Sequence, residues 1–156
     1  MIEVKAPNAY NSAAQYTIFM AGSIEMGVAV DWQTQLRNDL IAYQVLLLNP
    51  RRDDWNSDWV QDISNDQFRT QVEWELNGID NSDLVVVNFE PGTQSPITLM
   101  ELGLIVGRDH EIVVCCPEGF WRRGNVQVLC NKYNVPLLSN KEDFLACIID
   151  KVEQYD

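Results

Sequence analysis

Two glutamates stand where a carboxylate is least expected. The stretch Pro96 to Gly107 holds one acid, Glu101, among Ile97, Leu99, Met100, Leu102, Leu104, Ile105 and Val106. Taking a carboxylate out of water is costly and raises its pKa, so a lone acid in a helix apolar all round needs a reason. Either it lies on a narrow solvent face or it serves chemistry. Glu75 is the second case: it stands three residues after Val72, four before Ile79 and seven after Phe68, on the apolar side of its helix, whereas Glu73 falls on the opposite side. Glu75 is then the buried partner of an arginine or of backbone amides, or a functional acid. Two inward carboxylates on adjacent helices are the pattern from which an enzyme makes a nucleophile and a positioned acid or base, because their surroundings can push the two pKa values apart.

Other residue types offer recognition rather than bond chemistry. Gly22-Ser23 follows an apolar run and presents small residues and free backbone amides to a sugar or phosphate, although the spacing is not GxGxxG. Arg51-Arg52-Asp53-Asp54-Trp55 offers hydrogen-bonding groups and an aromatic plane suited to a base or ribose, or else forms a paired surface cluster. Phe120-Trp121-Arg122-Arg123 stacks on a ligand or packs at a subunit interface. The one histidine, His110, stands between Asp109 and Glu111 in an expected helix-to-strand turn. A His-rich metal site or a Ser-His-Asp triad therefore has little support, and no metal or cofactor is expected. Cys115, Cys116, Cys130 and Cys147 form no CxxC pair and read as buried thiols of a reducing compartment.

The elements that must position these residues follow from periodicity and punctuation. After a polar leader over 1–14, Tyr16 to Ala21 reads as an apolar strand broken by Gly22-Ser23, with a loop from Ile24 to Val30. Asp31 caps a helix that buries Trp32, Leu36 and Leu40, and Val45 to Leu48 is a second strand. The long loop Asn49 to Asn65 lacks periodicity, and loops of that length in a compact domain tend to be functional. Asp66 caps a helix with Phe68, Val72, Leu76 and Ile79 on its inner face, ending near Asn81 before the strand Leu84 to Val87. Ser95-Pro96 is an N-cap followed by proline at the first helical position, and Gly103 and Gly107 suggest that this helix packs closely on its neighbours. Strands at Ile112 to Cys116 and Val135 to Leu138 and helices at Asn125 to Tyr133 and Lys141 to Tyr155 complete the chain.

Five strands alternating with five helices, and strands that are nearly all apolar, imply one α/β domain over 1–156. Its doubly wound, five-stranded parallel sheet has helices on both faces and the flavodoxin-like order 2-1-3-4-5. Ligands in such sheets bind beyond the carboxyl ends of the strands at the switch point, here the loops Gly22 to Ala29 and Glu90 to Ser95. The 156 residues suit one domain, and the 46 % apolar content is globular. A net charge of -12 weighs against nucleic acid or anionic lipid as a partner. No run of 18 apolar residues or signal-like N-terminus is present, so a cytoplasmic protein is expected.

The motifs also carry a resemblance. Glu75-Leu-Asn-Gly-Ile-Asp-Asn-Ser-Asp83, the strand Leu84 to Val87, and Ser95-Pro-Ile-Thr-Leu-Met-Glu101-Leu-Gly103 resemble nucleoside 2-deoxyribosyltransferases and their relatives, the nucleotide N-glycosidases. Ile18 to Ser23 is similar to the family's first strand and loop. Asn49 to Trp55 and Cys116 to Arg122 resemble a bacterial and phage subgroup. The resemblance implies a retaining double displacement in which Glu101 attacks the anomeric carbon and forms a glycosyl-enzyme ester. It implies that Glu75, where many members have aspartate, contacts the base. Ser95 falls where members carry either a sugar-holding aspartate or a serine that binds a 5'-phosphate, Asn125 matches an asparagine donated by the neighbouring subunit, and Ile18 and Phe19 stand near the position of a tyrosine found in some members. The expected activity is base exchange on a 2'-deoxynucleoside with a free nucleobase as acceptor, in a homo-oligomer built from dimers with shared active sites. Transfer of the sugar to water, or nucleotide sensing without catalysis, are the alternatives. Catalytic roles are expected at Glu101 and Glu75, and substrate contacts at Gly22, Ser23, Asp53, Trp55, Ser95 and Asn125.

Overall fold

Apolar runs too short to satisfy their backbone alone are paired into a single parallel sheet. The computed structural model describes residues 1–108 and 110–155, so Asp109, in the expected turn around His110, lies outside the described residues. The strands are β1 (Ile2–Lys5), β2 (Tyr16–Gly22), β3 (Val45–Asn49), β4 (Leu84–Asn88), β5 (Ile112–Cys115) and β6 (Leu137–Leu138), in the order β1-β3-β2-β4-β5-β6. The sheet thus has six strands where the apolar runs give five in the order 2-1-3-4-5. The extra strand comes from the supposed polar leader: Ile2 to Lys5 pair with Leu46 to Asn49 at the edge of the sheet. An edge strand is covered on fewer sides, so Ile-Glu-Val-Lys needs no continuous apolar run and escapes a search for one. The other five strands keep the expected relative order. At the far edge β6 is two residues long, shorter than Val135 to Leu138.

Helices α1 (Trp32–Asp39), α2 (Asp66–Asp80), α3 (Pro96–Val106), α4 (Arg123–Tyr133) and α5 (Lys141–Tyr155) supply the crossovers. Asp31 caps α1 as expected, accepting from the Thr34 amide at 3.1 Å. The cap of α2 is Asn65, which accepts from the Phe68 amide at 2.9 Å, and not Asp66. Either residue type can cap, and Asp66 instead lies in the first turn, paired with Arg69 at 2.8 Å. The inner face of α2 is also rotated from the expected one. Gln71, Trp74, Gly78 and Ile79 are buried, while Phe68, Val72 and Leu76 are half-buried.

Strand residues alternate between two cores. Phe19, Ala21, Val85 and Val87 meet α2, α3 and α4 through Trp74, Ile79, Leu102, Ile105 and Val126. Ile18, Met20, Leu47 and Val86 meet α1 and α5 through Trp32, Leu36, Phe144 and Ile148. The close helix contact is at Gly78, where an added Cβ would stand 2.7 Å from the Phe19 ring. Gly103 faces open space, and an added Cβ at Gly107 would meet only its own helix, contrary to the packing expected of both.

Gly22 ends β2 opposite Asn88 of β4. A Cβ there would overlap the Asn88 carbonyl oxygen and come within 2.6 Å of the Trp32 ring. The glycine admits the close approach of β4 and α1 on which the neighbouring loop depends. Gly22→Ala is expected to destabilise the protein by about 1–3 kcal/mol through overpacking, read as a fall in Tm; an unchanged Tm would remove this packing role.

Candidate active site

Glu75 on α2 and Glu101 on α3 stand near enough for the charge of Glu75 to act on Glu101. Residues Thr98, Glu101, Leu102 and Ile105 form the inner face of α3, and Glu101 is 7 % exposed. It therefore does not lie on a solvent face. Burial pushes its carboxyl well above the ordinary carboxylate range, and the negative charge of Glu75 adds to the rise. Glu75 keeps part of its surface exposed while its carboxyl is crowded by protein, and that crowding raises its pKa too. Its partner is Gln71, neither an arginine nor a backbone amide. Gln71 Nε2 donates to Glu75 Oε1 at 2.7 Å, which offsets part of the rise, and to the Pro50 carbonyl at 3.1 Å. Gln71, 2 % exposed, thereby ties the Glu75 carboxyl to the end of β3. Loss of a proton from one acid makes loss from the other harder, so over an interval of pH the pair holds a single proton. One carboxylate and one carboxylic acid side by side are what covalent substitution with a protonated leaving group requires.

A second cluster lies at the carboxyl ends of β2 and β4. Ser23, fully buried, has its Oγ 2.6 Å from Ser95 Oγ and 2.9 Å from Thr93 Oγ1, and accepts from the Glu90 amide at 3.0 Å. Ser95 takes the N-cap position of α3 in the left-handed region, φ 47°, and its hydroxyl does not cap the helix. Glu25 instead holds the two amides that lead into the helix. Its Oε1 accepts from the Gln94 amide at 2.9 Å and the Ser95 amide at 2.7 Å, placing a carboxylate where a helix N-terminus attracts anions. Glu25 and Met26 are themselves left-handed, with φ 47° and 54°. Arg51 clamps the loop by donating to the carbonyls of Gly27 at 2.8 Å, Ala29 at 2.9 Å and Val30 at 3.3 Å.

The expected site residues divide accordingly. Glu75 is brought to Glu101, and Gly22 and Ser23 to Ser95. Asp53 is exposed and paired with Lys5 at 2.8 Å, so its carboxylate is engaged at the surface. Trp55 is half-buried against Trp59, ring centres 5.1 Å apart, with its Nε1 buried and unpartnered. Arg52 lies over the Trp59 ring at 4.9 Å and pairs with Asp54. Asn125 is exposed and lines a cleft of about 340 Å³ with Leu99, Leu102 and Trp121. Neither acid is in that cleft's lining. Of the expected surface pair, Phe120 is buried against Phe89 and only Trp121 is exposed. Gln71, Thr93 and Glu25 were not foreseen; Gln71 has a legible signal, one helical turn before Glu75, but Glu25 reaches its partners across 69 and 70 positions.

The architecture is a parallel doubly wound α/β sheet with two acids of raised pKa on the helices beside its switch point. A model of the family described as "Nucleoside 2-deoxyribosyltransferase like" matches residues 15–120, and the chain belongs to that family. Membership points to a nucleoside-handling, glycosyltransferase-like activity. No curated protein matches the chain. Among solved structures, a conserved protein from Enterococcus faecalis V583 is similar with a TM-score of 0.59 and 15 % identity, covering 92 % of this chain and 100 % of that one. That likeness concerns the fold. No described helix is long and apolar enough to cross a membrane.

An acid with a raised folded-state pKa binds its proton more tightly in the folded protein, so stability falls as pH rises from the ordinary carboxylate range through the raised value. A tenfold displacement of its ionisation is worth about 1.4 kcal/mol. Glu101→Gln is expected to raise Tm relative to the wild type at pH 9 and to leave the difference near zero at pH 4. A difference independent of pH would contradict a buried, ionisable Glu101.

Proposed function

We propose that the protein is a nucleoside 2-deoxyribosyltransferase that exchanges the base of a 2'-deoxynucleoside. The observation that carries this reading is the carboxyl pair Glu75 and Glu101, buried on adjacent helices with raised pKa values, in a chain of this family. In the reacting form the pair's single proton passes to Glu75, and the Glu101 carboxylate attacks the anomeric carbon of the sugar. The glycosidic carbon–nitrogen bond breaks, its electron pair goes to the base, and the base takes the proton from Glu75. An ester joins the sugar to Glu101. A second base then attacks the same carbon, returns its proton to Glu75 and expels the Glu101 carboxylate, and the two inversions retain configuration. Glu101 supplies the electron pair of the first displacement and the incoming base that of the second, and Glu75 carries the proton from the incoming base to the leaving one.

An unphosphorylated sugar suits the site better than a 5'-nucleotide. The carboxylate of Glu25 already occupies the Gln94 and Ser95 amides, and a phosphate brought there meets its charge. Of the hydroxyl cluster, Ser23 is fully buried and bonded to Ser95 and Thr93, and the half-buried Thr93 is the member suited to a sugar hydroxyl. A cytoplasmic setting fits four free cysteines. A homodimer is supported by α3, whose outer face exposes Ile97, Met100 and Gly103 beside Trp121. Pairing of this apolar patch, with Arg122 stacked over Trp121 at 4.2 Å on its margin, across a two-fold axis would bring Asn125 of one copy toward the other.

The test mixes a deoxynucleoside with excess acceptor base and follows new nucleoside against free deoxyribose. New nucleoside should dominate, because a positioned base outcompetes unordered water for the ester. Free sugar insensitive to acceptor concentration would replace transfer by hydrolysis. Glu101→Ala should lower turnover on the order of a thousandfold or more while the fold persists. Glu75→Ala should give a smaller loss that varies with the leaving base, and equal losses for every base would sink its role. Light scattering should give at least a dimer, and a fully active monomer would exclude shared sites.

A further inference from the structure

Gln71 is held in an arrangement that strands one of its own atoms. It is buried one helical turn before Glu75 on α2, so the two side chains share a face. Its Nε2 carries two hydrogens and meets two acceptors, the Pro50 carbonyl at 3.1 Å and Glu75 Oε1 at 2.7 Å. Its Oε1, in contrast, is buried with no partner among the described residues. An unpaired buried acceptor is costly, so something must keep the carboxamide from turning over. The backbone does so. A carbonyl oxygen accepts and never donates, and the amide nitrogen must therefore face Pro50. That carbonyl is fixed in turn, because it belongs to the peptide unit whose N–H, on Arg51, donates to Asn49 Oδ1 at 2.9 Å. Asn49 is itself buried at the end of β3.

We propose that Gln71 is a positioning residue that fixes the proton of Glu75 on Oε2. In a carboxylic acid the carbonyl oxygen is the strong acceptor and the hydroxyl oxygen the weak one. An N–H locked onto Oε1 makes Oε1 the carbonyl, and the proton goes to the other oxygen. Oε2 is then the atom that hands a proton over and the atom that takes one back. Glu101 on α3 is the titratable neighbour whose charge is linked to Glu75, while Gln71, from within α2, favours the ionised form of Glu75. The use of this proton rests on the base-exchange reading, in which Oε2 protonates the leaving base. Its location is a property of the protein without substrate. Gln71 acts through Glu75, so it governs proton transfer and not affinity for the sugar.

Infrared spectroscopy of the protonated carboxyl tests the assignment. In Glu101→Leu the neighbouring acid is gone, and the difference from the double variant Glu101→Leu/Glu75→Gln isolates the Glu75 band at about pH 5.5, where ordinary carboxyls are ionised. A carbonyl that accepts a hydrogen bond stretches at lower frequency than a free one. The Glu75 band should lie below that of a monomeric carboxylic acid in an apolar solvent, and adding Gln71→Met, which keeps the side chain's length and removes its donor, should move it up. A band at the free position overturns the proposal, and this decides the matter if Gln71→Met does not fold. So does a band that Gln71→Met leaves in place, or no Glu75 band at all. In the otherwise wild-type protein Gln71→Met should lower kcat about tenfold and leave KM within about twofold; an unchanged kcat overturns the positioning role. The expected spectral shift in a protein that exchanges no bases supports the proton's location and overturns only the transfer reading.

Discussion

The side-by-side pairing of β2 and β4 governs what the rest of the molecule can do. These strands are distant in sequence, yet their register sets Ile18 against Leu84 and carries on to Gly22 against Asn88. The chain leaves the two strand ends together, so the loop carrying Ser23 and the loop carrying Thr93 and Ser95 meet over a few ångströms. Because Gly22 lacks a side chain, the Asn88 backbone and the Trp32 ring close over it. The α3 N-terminus is fixed by the same junction, and with it the point from which Glu101 projects one helix face inward.

Electrostatics then converts that geometry into reactivity. A single buried carboxyl on an apolar helix is merely a liability. Two such groups facing each other share the penalty unequally, since ionising one raises the cost of ionising the other. Among the described residues Gln71 is the polar contact to the pair, and it donates to Glu75. The two acids are therefore chemically distinct even though both are glutamates. The Glu25 carboxylate plays a different part. It meets two backbone amides and the positive end of a helix, surroundings that favour charge rather than oppose it.

The sheet also separates two environments at the same edge. Side chains alternate across each strand, so Val87 faces the helices that hold the acids, whereas Asn88 lines a cavity between α1 and α5. The two regions still share residues at their margins. Glu90 takes the Asn88 amide on its carboxylate while its own backbone amide donates to Ser23. A polar side chain at the last position of a buried strand is thus a structural joint between the two layers.

What the residues alone determined is the part governed by local periodicity and solvation: the parallel α/β class, five of the strands, the cap at Asp31, and the oddity of Glu75 and Glu101. Those follow because apolar runs must be buried and a carboxylate in such a run is costly wherever the run ends up. Tertiary structure decided the rest. Strand β1 is recruited because β3 offers a free edge, a property of the assembled sheet and not of Ile-Glu-Val-Lys. The rotation of α2 that buries Trp74 and Gly78 instead of Phe68 depends on the closeness of the Phe19 ring. Gly103 reads as a packing residue in isolation, but no neighbour approaches it. Glu25 lies far along the chain from the amides it meets, so only folding reveals that the loop's acid holds the two residues leading into the helix that carries the candidate nucleophile.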